Sequence, residues 1–163
     1  MAARGESSSV SDVEKKRWIA IMRIYLGFFF LISSLDKFKS AYFDKLFLAH
    51  VRSAAANTTI LWFKDFLTNI VGPRYKFFAF LNAAGEFVVG LALIFGFIAG
   101  LFSIIAILIR LAHFLGSMAL APVILNTNLI YIIALLVLIG SCSGRTWGMD
   151  KHLSKKILFK YLL

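Results

Sequence analysis

The chain has 163 residues, of which 60% are hydrophobic, with a formal net charge of +10 and a single cysteine. Soluble domains average about 45–50% apolar residues, and here the excess lies in long runs, so an ordinary soluble domain is excluded and one integral membrane domain is predicted. The basic residues cluster beside the apolar runs, which favours membrane lipids as partners and argues against nucleic acid. Because disulfide exchange needs two thiols, Cys142 cannot form a self-contained dithiol relay.

The chain begins with residues 1–17, which are rich in Ser, Ala and Gly and predict a flexible polar tail. Lys15, Lys16 and Arg17 precede an apolar run that is longer than the core of a signal peptide, so we expect a retained transmembrane helix at about residues 18–35. Arg23 lies about a turn and a half inside this helix. Its side chain either snorkels toward the basic end or faces the protein interior.

The long connection at residues 36–75 is too polar to span a membrane. In residues 60–71, apolar side chains recur at helical spacing, which predicts an amphipathic helix lying at the membrane surface. Residues 41–51 are a weaker candidate of the same kind, and residues 53–59 read as a polar turn between them. His50 falls in this connection without a partner at a suitable spacing, so it is interpreted as an ordinary surface histidine.

Two further transmembrane helices are predicted at about residues 77–96 and 100–120, because each apolar run approaches the roughly 20 residues that cross a bilayer core. The first carries Asn82, Glu86 and Gly90 on one face. The second carries one stripe of small and polar residues, namely Ser103, Ala106, Arg110, His113 and Ser117. Such stripes must face protein or water rather than lipid.

Glu86 and Arg110 form the predicted polar centre. Each lies twelve positions from Ile98, the middle of the break between the two helices, so a tight hairpin brings them to similar depth. A single charge at mid-membrane costs about 2.5–3.5 kcal/mol on insertion scales, and opposite charges at one depth suggest an ion pair. His113, one turn from Arg110, is interpreted as a member of this network, as a quinone contact or as a pigment ligand.

A fourth transmembrane helix is predicted at about residues 128–142, with Asn126 or Thr127 as its cap. Residues 151–163 combine four lysines with apolar residues and predict a basic amphipathic surface helix. Four spanning helices bring both termini to one side, and the positive-inside rule favours the cytoplasmic side for them, although the long connection is also basic. The fold class is therefore an all-α membrane protein. Its four-helix domain covers residues 18–150, with amphipathic interfacial helices in the first long loop and at the C-terminus.

Three motifs resemble those of DoxX-like and DoxD-like membrane proteins over residues 19–150. They are Arg23-x-x-x-Gly27 with Ser34-x-x-Lys37, Glu86 with Gly90-Leu91-x-Leu93-x-x-Gly96, and Gly140-x-x-x-Gly144-Arg145-x-x-x-x-Asp150. The resemblance implies a four-helix membrane domain. It also implies kinship with the DoxD-type subunit of thiosulfate:quinone oxidoreductase and with membrane partners of thiol-redox and oxidative-stress proteins.

These observations leave three functions open. The first is a mainly structural, accessory subunit of a redox-associated complex, quinone-linked and either respiratory or photosynthetic, in a cell membrane such as the bacterial inner membrane. The second is a quinone-interacting oxidoreductase subunit of the thiosulfate:quinone type, and the third is a small membrane carrier. The candidate site is a buried polar cluster of Glu86, Arg110, His113, Asn82 and Arg23. No catalytic residue or metal site is assigned, whether the chain is itself an enzyme stays open, and the candidate ligands are quinone, bound lipid or a pigment held by His113.

Overall fold

The computed structural model describes residues 3–39, 41–117, 126–141 and 147–149, with side chains from residue 13 onward. All regular structure in these ranges is helical: α1 (Ala3–Lys37), α2 (Phe47–Asn57), α3 (Leu61–Phe66), α4 (Tyr75–Phe95), α5 (Ala99–Gly116) and α6 (Thr127–Gly140). A π-helical turn at Tyr42–Leu46 leads into α2, and another at Leu67–Val71 continues α3. Cys142 and the predicted surface helix at residues 151–163 lie outside the described residues.

Three of the described helical segments are long and apolar enough to cross a membrane, namely Val13–Lys37, Tyr75–Phe95 and Ala99–Gly116. The fourth apolar helix, α6, has only 14 residues. At 1.5 Å per residue it is about 21 Å long, which is shorter than the roughly 30 Å hydrocarbon core. The all-α membrane bundle expected from the sequence is therefore confirmed, with a fourth helix shorter than a typical span.

Helix α1 begins at Ala3, so it includes most of the segment that was predicted to be a flexible tail. Adding residues to an existing helix costs far less than nucleating one. The predicted polar turn at residues 53–59 is also mostly helical, since α2 continues to Asn57. The Asn57 side-chain amide donates to the Ser53 carbonyl at 2.8 Å and supports this last turn, so only residues 58–60 separate α2 from α3.

Helix α5 ends at Gly116, four residues before its predicted end. The Ser117 hydroxyl donates to the carbonyls of His113 (2.9 Å) and Phe114 (3.2 Å) and satisfies groups that the helix leaves open. The Asn126 amide in turn donates to Ser117 Oγ at 2.9 Å, while Asn126 Oδ1 accepts from the Asn128 backbone N–H at 3.0 Å. Asn126, one of the two predicted caps, is therefore the cap of α6 and also ties it to α5.

Replacing Asn126 with Ala is expected to lower the free energy of unfolding by about 1–2 kcal/mol, because both the cap and the bond to Ser117 are lost. Asn126→Ser keeps a capping oxygen and should recover about half of that loss. Thr127→Ala is the matched control and should leave stability unchanged. Equal effects at positions 126 and 127, measured by unfolding in mixed detergent micelles, would contradict this assignment.

Helices α1 and α4 cross at two glycines. A Cβ on Gly90 would lie 2.7 Å from the Leu31 backbone nitrogen, and one on Gly27 would lie 2.8 Å from the Ile94 nitrogen. The two backbones are therefore in direct contact, the close approach that small residues permit between membrane helices. Ala20 and Ser34, which share the Gly27 face, are also fully buried. This crossing aims the α4 face of Gly90 and Glu86 at α1.

The break between α4 and α5 lies where the sequence placed it. Gly96 adopts a left-handed conformation (φ 62°), and its N–H and that of Phe97 bond back to Leu93 and Ala92 at 3.3 and 2.9 Å. This is the Schellman arrangement, which favours glycine at that position. The resulting antiparallel hairpin places the ends of α1 and α5, and the start of α4, on the same side of the bundle.

Candidate functional site

Glu86 is fully buried and is held by two groups of α1. Its Oε2 accepts hydrogen bonds from Ser33 Oγ at 2.9 Å and from Lys37 Nζ at 2.5 Å, the latter an ion pair in which the Lys37 side chain is 18% exposed. Its other oxygen, Oε1, is buried without a hydrogen-bond partner among the described residues. The carboxylate is therefore paired by one cation and retains one oxygen that can accept a further hydrogen.

The expected direct pair between Glu86 and Arg110 is wrong, because the ion-pair partner of Glu86 is Lys37. The glycine crossing points Glu86 at α1 rather than at α5, and Lys37, at the end of α1, reaches back to it. Arg110 lies within electrostatic range of Glu86 without bonding to it. The shared depth of two opposite charges thus predicted their proximity but not the partner that each selects.

Arg110 occupies an aromatic cage between α1 and α6. Its guanidinium carbon lies 4.8, 4.7 and 5.2 Å from the ring centroids of Phe29, Phe30 and Tyr131. Such cation–π contacts stabilise a desolvated cation by about 2 kcal/mol or more. Its Nε and Nη2 are buried and make no hydrogen bond to any residue that the structure describes. The cage replaces part of the stabilisation that an ion pair would otherwise supply.

A cavity of about 550 Å³ opens beside Lys37, with α2 and α3 on one side and α4 and α5 on the other. Most of its wall is apolar, from Phe47 on α2 through Phe63 on α3 to Leu108 on α5. The polar side chains that line it are Lys37, Tyr42, His50, Ser53, Asn82, His113 and Ser117. The cavity therefore combines apolar walls with a small set of hydrogen-bonding groups, the usual make-up of a small-molecule site.

Tyr42 supplies a hydrogen-bond donor to the cavity. The Asn82 amide donates to Tyr42 Oη at 2.9 Å, and the phenol makes no other hydrogen bond among the described residues, so its own hydrogen remains available. Burial raises the pKa of Tyr42 to about 12, although the hydrogen bond from Asn82 opposes the shift. The phenol is consequently protonated, and able to donate, at every pH near neutrality.

His113 supplies an acceptor. Its Nδ1 lies 2.8 Å from the carbonyl oxygen of Ile109. A carbonyl only accepts, so Nδ1 carries the hydrogen and Nε2 of the neutral ring presents a lone pair. Among the polar side chains that line the cavity, Lys37 and Tyr42 are therefore donors and His113 is an acceptor.

Arg23 belongs to a different part of the molecule. It is fully buried, its Nη2 donates to the Trp147 carbonyl at 3.1 Å, and its guanidinium packs against Gly96 at the α4–α5 turn. Of the two interpretations from the sequence, the inward-facing one therefore holds. The five residues of the predicted cluster therefore do not form one site. Asn82 and His113 line the cavity, and Glu86 is paired with Lys37, which also lines it. Arg110 occupies its aromatic cage, and Arg23 lies at the opposite end of α4.

Lys37, Tyr42 and His50 were not among the predicted site residues, yet all three line the cavity. A signal existed for Lys37, since Ser33 and Lys37 are four residues apart and share a face of α1. Tyr42 and His50 lie in the long connection, and no spacing in the sequence places them against α4 and α5. His50, interpreted as a surface histidine, is exposed and borders the cavity.

Within the described ranges, no three His, Cys, Asp or Glu side chains are grouped so that they could hold a metal ion. Fold and site together define a helical membrane protein whose mostly apolar cavity is lined by a few polar groups. A family model described as DoxX matches residues 18–115, more than half of the chain, and the chain therefore belongs to the DoxX family. No curated protein and no solved structure shows a significant match. The matched range contains nearly all of the cavity wall, whereas α6 and the Tyr131 ring of the cage lie beyond it.

Proposed function

We propose that the chain is an integral membrane subunit of a redox-associated, quinone-linked complex, and that it supports its partners by holding quinone in the cavity. The observation that carries the proposal is the cavity itself, with a mostly apolar wall that also includes Lys37, Tyr42 and His113. Membership of the DoxX family supports the part of the proposal that makes the chain an integral membrane protein. That its partners belong to such a complex is likewise part of the proposal.

The cavity fits a quinone in size and in polarity. Its volume of about 550 Å³ lies inside the range of about 300–1,000 Å³ that is typical of small-molecule sites. The hydrogen of the Tyr42 phenol and the ammonium of Lys37 can donate to a carbonyl oxygen, and His113 Nε2 can accept from a hydroxyl of the reduced form. The apolar wall receives the ring and its tail.

A bound quinone would supply the carrier chemistry for two electrons and two protons. The residues of this chain orient it, exclude water and hold a proton. Glu86 fixes the position of Lys37 through their ion pair, and Asn82 fixes that of the Tyr42 phenol. Because Nδ1 is engaged by the Ile109 carbonyl, His113 Nε2 keeps its lone pair for a hydroxyl of the reduced quinone.

Tyr42→Phe should weaken the binding of short-chain ubiquinone and menaquinone analogues to the purified protein about fivefold, the effect of losing one hydrogen bond of about 1 kcal/mol. Isothermal titration in mild detergent measures this directly. Tyr25→Phe is the matched control, because Tyr25 is 64% exposed and does not line the cavity. Absence of saturable binding to the wild-type protein, or equal effects of the two substitutions, would contradict quinone binding.

A purely structural role is the second candidate, and one observation favours it. Lys37 and Glu86 join α1 to α4 beside the glycine crossing, so the buried charges already have a structural task. Affinity purification of the tagged protein from its native membrane, with mass spectrometry, would identify the partner complex. If the role is structural only, the complex with Tyr42→Phe keeps its full quinone-dependent turnover.

We also propose that both termini are cytoplasmic. Lys15, Lys16 and Arg17 precede the first spanning segment, and the last 13 residues carry four more lysines. Excess Lys and Arg near the ends of spanning helices marks the cytoplasmic side. Reporter fusions to the two termini would test the orientation.

A further inference from the structure

We propose that the same cavity binds an acidic single-chain amphiphile, with its oxyanion head at Lys37 and Tyr42 and its apolar chain along the wall. This proposal does not depend on quinone binding; it rests on the cavity and on the charges around it. The ligand class is defined by a carboxylate or phosphate oxyanion on one apolar chain.

The charged side chains beside the cavity do not balance. Two basic side chains, Lys37 and Arg110, lie within electrostatic range of one carboxylate, Glu86. Among the described residues the salt-bridge partner of Glu86 is Lys37, and with both basic groups charged the three side chains sum to one positive charge in excess. Uncompensated charge inside a membrane bundle is unfavourable, and the aromatic cage of Arg110 offsets only part of it. An anion beside Lys37 would make the cluster neutral.

The polar part of the cavity wall is basic. Among its lining residues that the structure describes, none is acidic, whereas Lys37, His50 and His113 are basic. An ammonium has three hydrogens, and the Glu86 bond uses one of the Lys37 hydrogens. With the available hydrogen of Tyr42, the site can serve two oxygens of one oxyanion.

The cavity has room for one hydrocarbon chain. Apart from the polar groups the wall is formed by aliphatic and aromatic side chains, which suit a hydrocarbon chain. A volume of about 550 Å³ is that of a site for one molecule of moderate size. The occupant therefore has one chain rather than two, and it enters from the membrane in which the helices lie.

The test compares three ligands with the same sixteen-carbon chain: palmitate, hexadecyl phosphate and hexadecanol. Binding to the purified protein is measured at pH 8 by competition with radiolabelled palmitate in mild detergent. The two anions should bind about tenfold more tightly than the alcohol, or better, because hydrogen bonds to a charged group are the stronger ones. Preference for the carboxylate would indicate a fatty acid, and preference for the phosphate would indicate a lipid phosphate head.

Lys37→Met combined with Glu86→Gln removes the cation without leaving a buried carboxylate unpaired, so this double variant should fold. It is expected to bind all three ligands equally. Lys39→Met is the matched control, because Lys39 is 73% exposed, pairs with Asp36 and lies outside the cavity wall. It should retain the preference for anions. Equal binding of palmitate and hexadecanol to the wild-type protein, or a preference that survives in the double variant, would overturn the proposal.

Quinone titration on the same preparation separates the two proposals. Binding of the anions without binding of quinone supports this inference and overturns the proposed quinone site. Binding of quinone without preference for anions would support the quinone site and overturn this inference. Displacement of quinone by palmitate would support both and would show that the two ligands share the cavity.

Discussion

Replacing Glu86 with Leu is expected to lower the free energy of unfolding by about 3–5 kcal/mol, the usual loss when one partner of a buried ion pair is removed. Lys37 would lose its counter-ion at 2.5 Å, and the Ser33 hydroxyl would lose its acceptor. The cluster would then hold Lys37 and Arg110 with no carboxylate between them. Equilibrium unfolding in mixed detergent micelles measures the loss.

The identity of the partner is tested by two double variants. Lys37→Met with Glu86→Leu should recover most of the lost stability, because an apolar pair often replaces a buried ion pair at little cost. Arg110→Met with Glu86→Leu should not recover it. Recovery in the Arg110 combination instead would show that Arg110 is the true counter-ion. Asp36→Asn, which breaks an exposed pair with Lys39, is the control and should leave stability unchanged.

Replacing Gly90 with Ala is expected to lower the free energy of unfolding by about 1–3 kcal/mol, the usual range for overpacking. The added methyl group would lie 2.7 Å from the Leu31 nitrogen and 3.0 Å from the Gly27 carbonyl oxygen. Both are backbone atoms, so α1 and α4 must separate to make room. Because Glu86 is one turn away, the separation should also lengthen its bond to Lys37.

Gly85 offers the matched control on the same helix. Its added methyl group would meet only the end of the Ile109 side chain, at an ordinary 3.5 Å. Gly85→Ala should therefore leave stability unchanged or raise it by up to about 1 kcal/mol through helix propensity. If the two alanine variants are equally stable, the close crossing of α1 and α4 is wrong.

The helical bundle could be predicted from the sequence because the patterns that define its helices are local. Apolar runs define the spanning segments, and the break at Gly96 to Gly100 has the glycine that a left-handed helix end requires. The α1–α4 crossing lies on the α1 face that carries Ala20, Gly27 and Ser34, which are small residues close to one face at helical spacing. The start of α1 and the end of α5 were harder to predict from the sequence, since helix ends depend on single hydrogen bonds such as those of Ser117.

The site could be predicted only in part from the sequence, because its contacts join segments that are far apart in the chain. Glu86, Arg110 and His113 stood out as polar residues in apolar runs, but nothing local to them names Lys37 as the counter-ion or Phe29, Phe30 and Tyr131 as the cage. The cavity depends on how α2 and α3 pack over α4 and α5. For that reason Tyr42 and His50 could not be assigned to it from their spacing.

The most direct test of the central claim, a ligand-binding cavity lined by Lys37, Tyr42 and His113, is photoaffinity labelling with an azido-quinone followed by peptide mapping. We expect label on the cavity wall, in residues 47–54 of α2 and 108–116 of α5, with displacement by unlabelled quinone. Label confined to the lipid-facing side chains of α1 and α6, or label that unlabelled quinone does not displace, would contradict it.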